Sequence, residues 1–566
     1  MSHKRFGAQD ATWAWPACIA VIVWLVIYLL PLGWRPLVVP DEARYAVIPL
    51  EMLQTGDWTV PHLLGIEYFE KPVLGYWFTA ASFLTFGENA FALRLPSAIA
   101  VGLAALMLFI VVRQATGRRD HAGLSALVLL TMIAPVILGT TAILDAPFAA
   151  LVTLTICCFW LGWSSRGAPR MWWLLAAGAA AGGAFLVKGF LGFALPAMVL
   201  LPWLMWCGRW RELVTLPWIS LVGAAIVAGP WALAVHGANG DYWHYFFWVE
   251  HVNRFLGGAE AQHPEAWWFF LAVLPIGMIP WIFASPLVVA GAVQRGFGSP
   301  WSKLLACWVL LPLAFFSMSS GKLPTYILPI FPPIAAVVAI ALATHFNRPR
   351  SAPSFRAFIP ALVLFAIAGV LFVWWIFGPG THSPWEDAGN WRFGLGALAF
   401  VFWGIVEIAA NHSVRAERRL LLNGVAPVAM FALIPALMPT GYMEVAKVPG
   451  AFLDTIALRY PDARLLGDED LAHAVGWAWR RPRDVTIVGG PGELKWGLET
   501  YEHNAHRLID AKDLPDIIEH RDGAVVLAMS HPWPWLEPGG LLDLPSVKRY
   551  EDRGITVLTW PAPARR

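Results

Sequence analysis

Charge is what this sequence has least of. Only 14% of its 566 residues are Asp, Glu, Lys or Arg, where an ordinary soluble domain carries about 25%. That shortage, with 58% hydrophobic residues, excludes a chain that is soluble throughout. The formal charge of +2 identifies no partner, because in an apolar chain the distribution of charge says more than its total. No nucleic-acid partner is expected. Cysteine is scarce too: Cys18, Cys157, Cys158, Cys207 and Cys307 all lie in or at the end of apolar stretches. They read as packing residues, with no disulfide framework or thiolate metal site. The first apolar stretch follows "MSHKR" and lacks a small-residue cleavage site, so it reads as a retained helix rather than a removed signal peptide.

What the chain does have is long apolar runs, and 33 Trp and 33 Phe to mark their interfaces. A run of about 20 residues spans the hydrocarbon core as a helix. Thirteen such runs are expected, at about 13–32, 91–112, 121–139, 142–162, 171–187, 190–206, 217–235, 267–290, 304–319, 325–344, 357–377, 393–410 and 420–438. The fold class is therefore a polytopic α-helical membrane protein of about thirteen transmembrane helices. A membrane domain is expected over 1–439 and a small soluble α/β domain over 440–566. In that tail "DVTIVG", "GAVVLAMS" and "GITVLTW" read as strands, and "EDLAHAVGWAWR" and "AKDLPDIIEHR" as amphipathic helices. "VGGPGELKWG" has too few spaced glycines for a phosphate loop and reads as a tight turn after a strand.

Basic residues recur in alternate loops: Arg113, Arg118 and Arg119; Arg166 and Arg170; Arg209 and Arg211; Arg295 and Lys303; Arg348, Arg350 and Arg356; Arg415, Arg418 and Arg419. Lys4 and Arg5 belong to the same set. The positive-inside rule turns them to the cytoplasm. That orientation places the amino terminus inside and the tail outside, in the periplasm of a Gram-negative cell.

The outer loops carry the less expected charges. The first, at about 33–90, is too long for a mere connection and contains "PDEARYAVIPLEMLQ", "GIEYFEKPVLGYW" and "GENAFALR". Residues 41–54 and 72–86 have helical apolar spacing and are expected to lie along the membrane surface. Other outer edges add "ILDAP" with Asp145, "LVKGF" with Lys188, "YFFWVEHVNRF" with Glu250, His251 and Arg254, and "GKLPTY" with Lys322 and Tyr326. Any one of these reads plainly as a solvated interfacial charge or a salt bridge: Asp145 as a cap before Pro147, Lys188 as a snorkelling lysine, Tyr326 as part of the aromatic belt. Their recurrence on one side is what marks a site. Cations at headgroup depth suit a lipid-linked phosphate, and carboxylates beside them suit the positive charge that develops on a sugar ring. A glycosyl transfer from a polyprenyl phosphate needs both.

The segments "PDEARYAVIPLEM…TGDW", "YFEKPVLGYW", "FGENAFALRLPSA", "LDAPF", "FFWVEHVNRF" and "GKLPTYILPIFPP" resemble the GT-C-fold glycosyltransferases that use lipid-phosphate sugars. Within that fold the chain is most similar to the lipid A aminoarabinose transferases, relatives of the protein O-mannosyltransferases. The tail segment "GWAWRRPRDVTIVGGPGELKWGLE" shares the likeness. The resemblance implies an inverting transfer of 4-amino-4-deoxy-L-arabinose from undecaprenyl phosphate to a lipid A phosphate. The reaction would take place at the periplasmic face of the inner membrane and confer resistance to polymyxin and other cationic peptides. It implies Asp41 and Asp145 as essential carboxylates, with Arg44, Tyr45, Lys71, Lys188, Arg254, Lys322 and Tyr326 binding substrate. It implies a divalent metal, zinc, on Glu70 and His251, no nucleotide cofactor, and a monomer in the bilayer. From the residues alone a Glu70–His251 hydrogen bond competes with the metal, since two protein ligands leave a zinc shell half empty. Val47, Leu50, Val73 and Gly75 depart from the family pattern beside the expected donor site. A flippase would place its ionisable groups at mid-membrane, where these runs hold almost none; a related transferase with another sugar or a protein acceptor is the nearer alternative.

Overall fold

The computed structural model describes residues 15–253, 264–346, 359–378, 384–385, 390–440, 447–530, 541, 544, 546–552 and 554–563. They divide into two compact units. The first comprises the described parts of Met1–Leu32, Arg94–Pro379 and Asn390–Leu437, the second those of Gly33–Leu93, Gly380–Gly389 and Met438–Arg566.

The first unit is helical because lipid offers a peptide group no hydrogen bond, so each apolar run must satisfy its backbone internally. Among the described residues nine helices are long and apolar enough to cross a membrane, eleven if each of two bent pairs is one crossing. Each of the thirteen expected runs falls on one of these or on a shorter apolar helix, Cys18–Leu29 or Leu191–Trp206. Two of the thirteen runs are bent rather than straight. Arg119–Leu130 and Ile133–Gly139 meet at 61°, where Met132 is extended. Phe269–Gly277 and Trp281–Val293 meet at 99°, beside Pro280, which has no N–H to continue a helix. Apolarity reports burial in lipid, not straightness. Ala168–Lys188 packs against both Asp145–Ser164 and Trp210–Ala238. Its glycines permit the approach: a Cβ on Gly178 would lie 1.7 Å from the Ser220 carbonyl oxygen. This packing holds in place the helix ends that carry Asp145 and Lys188.

The second unit joins the loop after the first apolar run to the tail. A short antiparallel pair, β1 (His62–Leu63) and β2 (Ile66–Glu67), belongs to the loop. The tail contributes β3 (Arg464–Gly467), β4 (Val485–Val488), β5 (Leu508–Ile509), β6 (Val525–Met529), β7 (Lys548–Asp552) and β8 (Ile555–Trp560), in the order β5-β4-β3-β6-β8-β7. The first four are parallel and β8 is antiparallel to both its neighbours. The strands β4, β6 and β8 are those expected from sequence. β6 and β8 are buried along their whole length, which is why they read as unbroken apolar runs. β5 is two residues long, and β7, "KRYED", is a mostly polar edge strand that alternation does not reveal. The chain leaves β3 outward through β4 and β5, then crosses to β6, so the strand order reverses between β3 and β6. In open α/β sheets the loops at the carboxyl ends of such strands carry the binding groups.

Asp41–Thr55 and Leu74–Phe86 are helices, as expected. The first is also covered by protein. Ala46, Val47, Ile48 and Leu50 are fully buried, and the helix packs against Leu74–Phe86 and the tail helix Ala472–Trp479. Periodicity detected its apolar side but not what covers it. On the same helix Glu51 is buried and accepts the Gly65 N–H at 2.9 Å. Burial pushes its carboxyl up to about 7, against the pull of the Gly65 and Leu64 N–H groups and of Arg483 and Arg507. A carboxyl raised in the folded state favours folding while protonated. That contribution is complete below the ordinary glutamate pKa of about 4.3 and is lost as pH rises through 7. Glu51→Gln is expected to raise stability at pH 8 by on the order of 2–3 kcal/mol and to change it little at pH 4. Denaturant melts at the two pH values test this; equal melting at pH 8 would mean that Glu51 ionises there without penalty.

Candidate active site

The first turn of Asp41–Thr55 puts Asp41 and Arg44 on one face, three residues apart, and their side chains pair at 2.5 Å. Asp41 is mostly exposed, whereas Arg44 is nearly buried. Arg44 also pairs with Glu493 from the tail, donates to the Tyr68 hydroxyl at 3.3 Å and lies 5.5 Å from the Tyr45 ring. Tyr45 in turn stacks on Tyr76, with ring centres 6.2 Å apart. Glu493 reaches this position because the Gly489–Gly492 turn after β4 runs into one helical turn, Gly492–Leu494. Its other oxygen lies 3.2 Å from the Nε2 of His473, which is buried on Ala472–Trp479. Burial alone would raise the Glu493 carboxyl; Arg44, His473 and Tyr68 outweigh it and hold it well below the ordinary range. Burial likewise raises the Tyr68 and Tyr76 hydroxyls, and Tyr68 donates to Glu493 at 3.3 Å. Lys71 donates to the Glu70 carbonyl at 2.9 Å and lies 3.8 Å from the Glu70 carboxylate.

Glu42, next to Asp41, has a different task. It is fully buried, accepts both Arg35 guanidinium nitrogens at 2.6 and 3.0 Å, and takes the Val38 N–H at 2.9 Å. It clamps the entry into the helix. Glu42→Ala leaves a buried guanidinium without its counter-charge and is expected to destabilise the protein by about 3–5 kcal/mol. A drop in thermal stability of Glu42→Ala without a comparable drop in Asp41→Ala would separate the two neighbouring acids.

In the first unit a second buried pair stands alone. Asp145 opens Asp145–Ser164 and Lys188 closes Ala168–Lys188; the lysine donates to Asp145 Oδ1 at 2.6 Å. Both side chains are about 15% exposed, and Asp145 caps no helix, so neither a cap nor a snorkelling lysine describes them. The Lys188 ammonium lies 5.0 Å from the Tyr326 ring and 5.8 Å from that of Phe148. Lys322 stands in a backbone cradle. It is buried and donates to the carbonyls of Glu265 at 2.7 Å and Ser319 at 2.5 Å. Two of its three donors thus brace the loop that leads to Tyr326.

Arg254 and the side chain of His251 lie outside the described residues. Among the described residues no three His, Cys, Asp or Glu side chains are grouped to hold a metal, and Glu70 has the Lys71 ammonium beside it. Glu70 is thus the described half of the expected Glu70–His251 pair.

The chain matches the family model for dolichyl-phosphate-mannose-protein mannosyltransferases over residues 13–246, and that for the C-terminal domain of arabinosyl transferase ArnT over 445–556. It is similar to the undecaprenyl phosphate-α-4-amino-4-deoxy-L-arabinose arabinosyl transferase of Erwinia tasmaniensis, 35% identical over 91% of this chain and 93% of that one. The protein of the same name from Pseudomonas aeruginosa is 37% identical over 92% and 93%. The chain belongs to the aminoarabinose arabinosyl transferases. The crystal structure of ArnT from Cupriavidus metallidurans bound to undecaprenyl phosphate has the same fold, with a TM-score of 0.77 and 25% identity over 98% of each chain.

As an arabinosyl transferase this chain is a multi-pass membrane glycosyltransferase whose tail is integral to its charged cluster. Glu493, His473 and Tyr68 escape a reading of the sequence by motif. Glu493 sits in "GELKWG", a stretch specific to the family, but its glycine spacing suggested only a turn. Val47, Leu50, Val73 and Gly75 are all buried inside the second unit.

Proposed function

We propose that this arabinosyl transferase moves 4-amino-4-deoxy-L-arabinose from undecaprenyl phosphate to a phosphate of lipid A. In this reading the reaction inverts the anomeric centre and proceeds at the periplasmic face of the inner membrane, with the amino terminus cytoplasmic and the tail periplasmic. The observation that carries the reading is the match to arabinosyl transferases over more than 90% of the chain. An oxygen of the acceptor phosphate attacks the anomeric carbon; the bond from that carbon to the undecaprenyl phosphate oxygen breaks, and its electron pair stays on the departing phosphate. A phosphate monoester with a second pKa of about 6 is already largely ionised at neutral pH, so the acceptor needs no strong general base. The chain must instead supply cations for the departing phosphate, assigned to Arg44, Lys71 and Arg254, and carboxylates opposite the developing sugar cation, assigned to Asp41 and Asp145. Glu70 and His251 are the residues assigned to a divalent metal, should one be required. The added sugar ammonium offsets negative charge on the outer surface and weakens the attraction of polymyxin.

Mass spectrometry of lipid A from cells with and without the protein tests the reading. One added aminoarabinose supports it; a changed protein glycan with unaltered lipid A would assign the chain to the O-mannosyl type of transfer. Within the site, Lys71→Ala is expected to abolish transfer and Asp41→Asn to reduce it by roughly 10- to 100-fold. Near-normal turnover in Asp41→Asn would remove that carboxylate from the chemistry.

A further inference from the structure

The first unit holds a cavity of about 830 Å³ that none of the proposed site residues lines. Its size is that of a small-molecule pocket. Trp160 forms one wall and sits on the same helix as Asp145, roughly 22 Å along the axis from it. The cavity therefore lies toward the helix end remote from the Asp145–Lys188 pair. Its inner walls, Leu305, Ile334 and Val338, are buried and apolar. Leu310 and Phe297, which also line it, are 58% and 46% exposed, so it opens onto the unit's apolar outer surface.

The lining itself holds no lysine or arginine, but the segments that flank lining residues Thr116 and Trp301 carry Arg113, Arg118, Arg119 and Lys303. Against them stands one carboxylate, Asp120, which is bonded to Arg118. Next comes Trp301. It is 7% exposed, and its indole N–H has no hydrogen-bond partner among the described residues. A buried donor without an acceptor is rare in native structures, and a ligand oxygen in the cavity would satisfy this one. Beyond it the walls are mainly hydrocarbon, with His121 and Ser285 the polar exceptions. Cations, then one donor, then an apolar chamber match the phosphate, the ester carbonyl and the acyl chain of a phospholipid in that order. A polyprenyl phosphate has no carbonyl between phosphate and chain and leaves the donor unmatched.

We infer that this cavity binds an acyl chain of an anionic phospholipid, with an ester carbonyl accepting the Trp301 N–H and the phosphate held by the basic segments.

The test uses the full-length protein, delipidated in detergent and titrated with phosphatidylglycerol, phosphatidylethanolamine and undecaprenyl phosphate under native mass spectrometry. Gly291 lines the cavity, and a Cβ there meets nothing within 4 Å, so Gly291→Trp fills the chamber without displacing backbone. The expected result is one tightly held phosphatidylglycerol, bound at least tenfold more weakly in Gly291→Trp and several-fold more weakly in Trp301→Phe, with phosphatidylethanolamine weak throughout. Equal affinity for the two phospholipids, an unchanged affinity in Gly291→Trp, or a loss confined to undecaprenyl phosphate would each overturn the assignment. An acyl-labelled photoreactive phosphatidylglycerol guards against a variant that misfolds. In the wild type it is expected to label Pro300–Met318, and labelling confined to other helices would also overturn the proposal.

Discussion

Asp145→Asn is expected to lower aminoarabinose transfer by more than about 100-fold, the scale on which loss of one preorganised electrostatic group is felt. Asn keeps an oxygen for the Lys188 ammonium but removes the charge that balances it at 2.6 Å. Because both side chains are largely buried, the single substitution also leaves an uncompensated cation and is expected to cost about 3–5 kcal/mol of stability. Activity alone cannot separate those effects. The double variant Asp145→Asn/Lys188→Met can, since it removes both charges and leaves no unpaired ion. Melting temperature should recover in the double variant while transfer stays abolished. Restored transfer would reduce the pair to a structural bridge between two helices.

The second large effect is expected at Glu493. Glu493→Gln preserves shape and one acceptor oxygen, yet among the described residues it leaves Arg44 paired with the exposed Asp41 alone. Transfer measured on purified protein should fall by at least about 30-fold, because a buried guanidinium without its partner reorganises. A pH signature accompanies this. The Glu493 carboxyl is held below its ordinary range in the folded state, so its stabilising contribution is complete above the unfolded pKa of about 4.3 and is lost as pH falls below it. The wild type should therefore lose stability from about pH 4 downward more steeply than Glu493→Gln. Parallel acid melts with undiminished transfer in the variant would show that Glu493 merely fills space.

Some of this site was legible in the chain. Asp41 and Arg44 are three residues apart in a helical pattern, and helix geometry alone brings them together. The strands β4, β6 and β8 were legible because burial on both faces leaves an uninterrupted apolar signature. Glu493 was not, because it lies 449 residues from Arg44 in a turn whose local chemistry is that of any glycine-rich loop. Asp145 and Lys188 each had a plain reading as an interfacial residue. Their meeting depends on the packing of Asp145–Ser164 against Ala168–Lys188, and sequence spacing does not encode that contact. The backbone carbonyls that Lys322 meets were not legible either, since Glu265 lies 57 residues away.

The sequence by itself determined that this protein lives in a membrane, that it carries a small α/β tail and that its unusual charges belong to particular loops. Composition and periodicity are properties of single segments, and they survive without knowledge of what each segment touches. Only the tertiary structure decided which charges meet. It tied the loop to the tail through Arg44 and Glu493 and separated Glu42, which clamps, from Asp41 beside it. It also bent two of the apolar runs. Those outcomes depend on burial and on contacts between distant residues, and a low-dielectric interior makes each of them worth several kcal/mol only once the partners are in place.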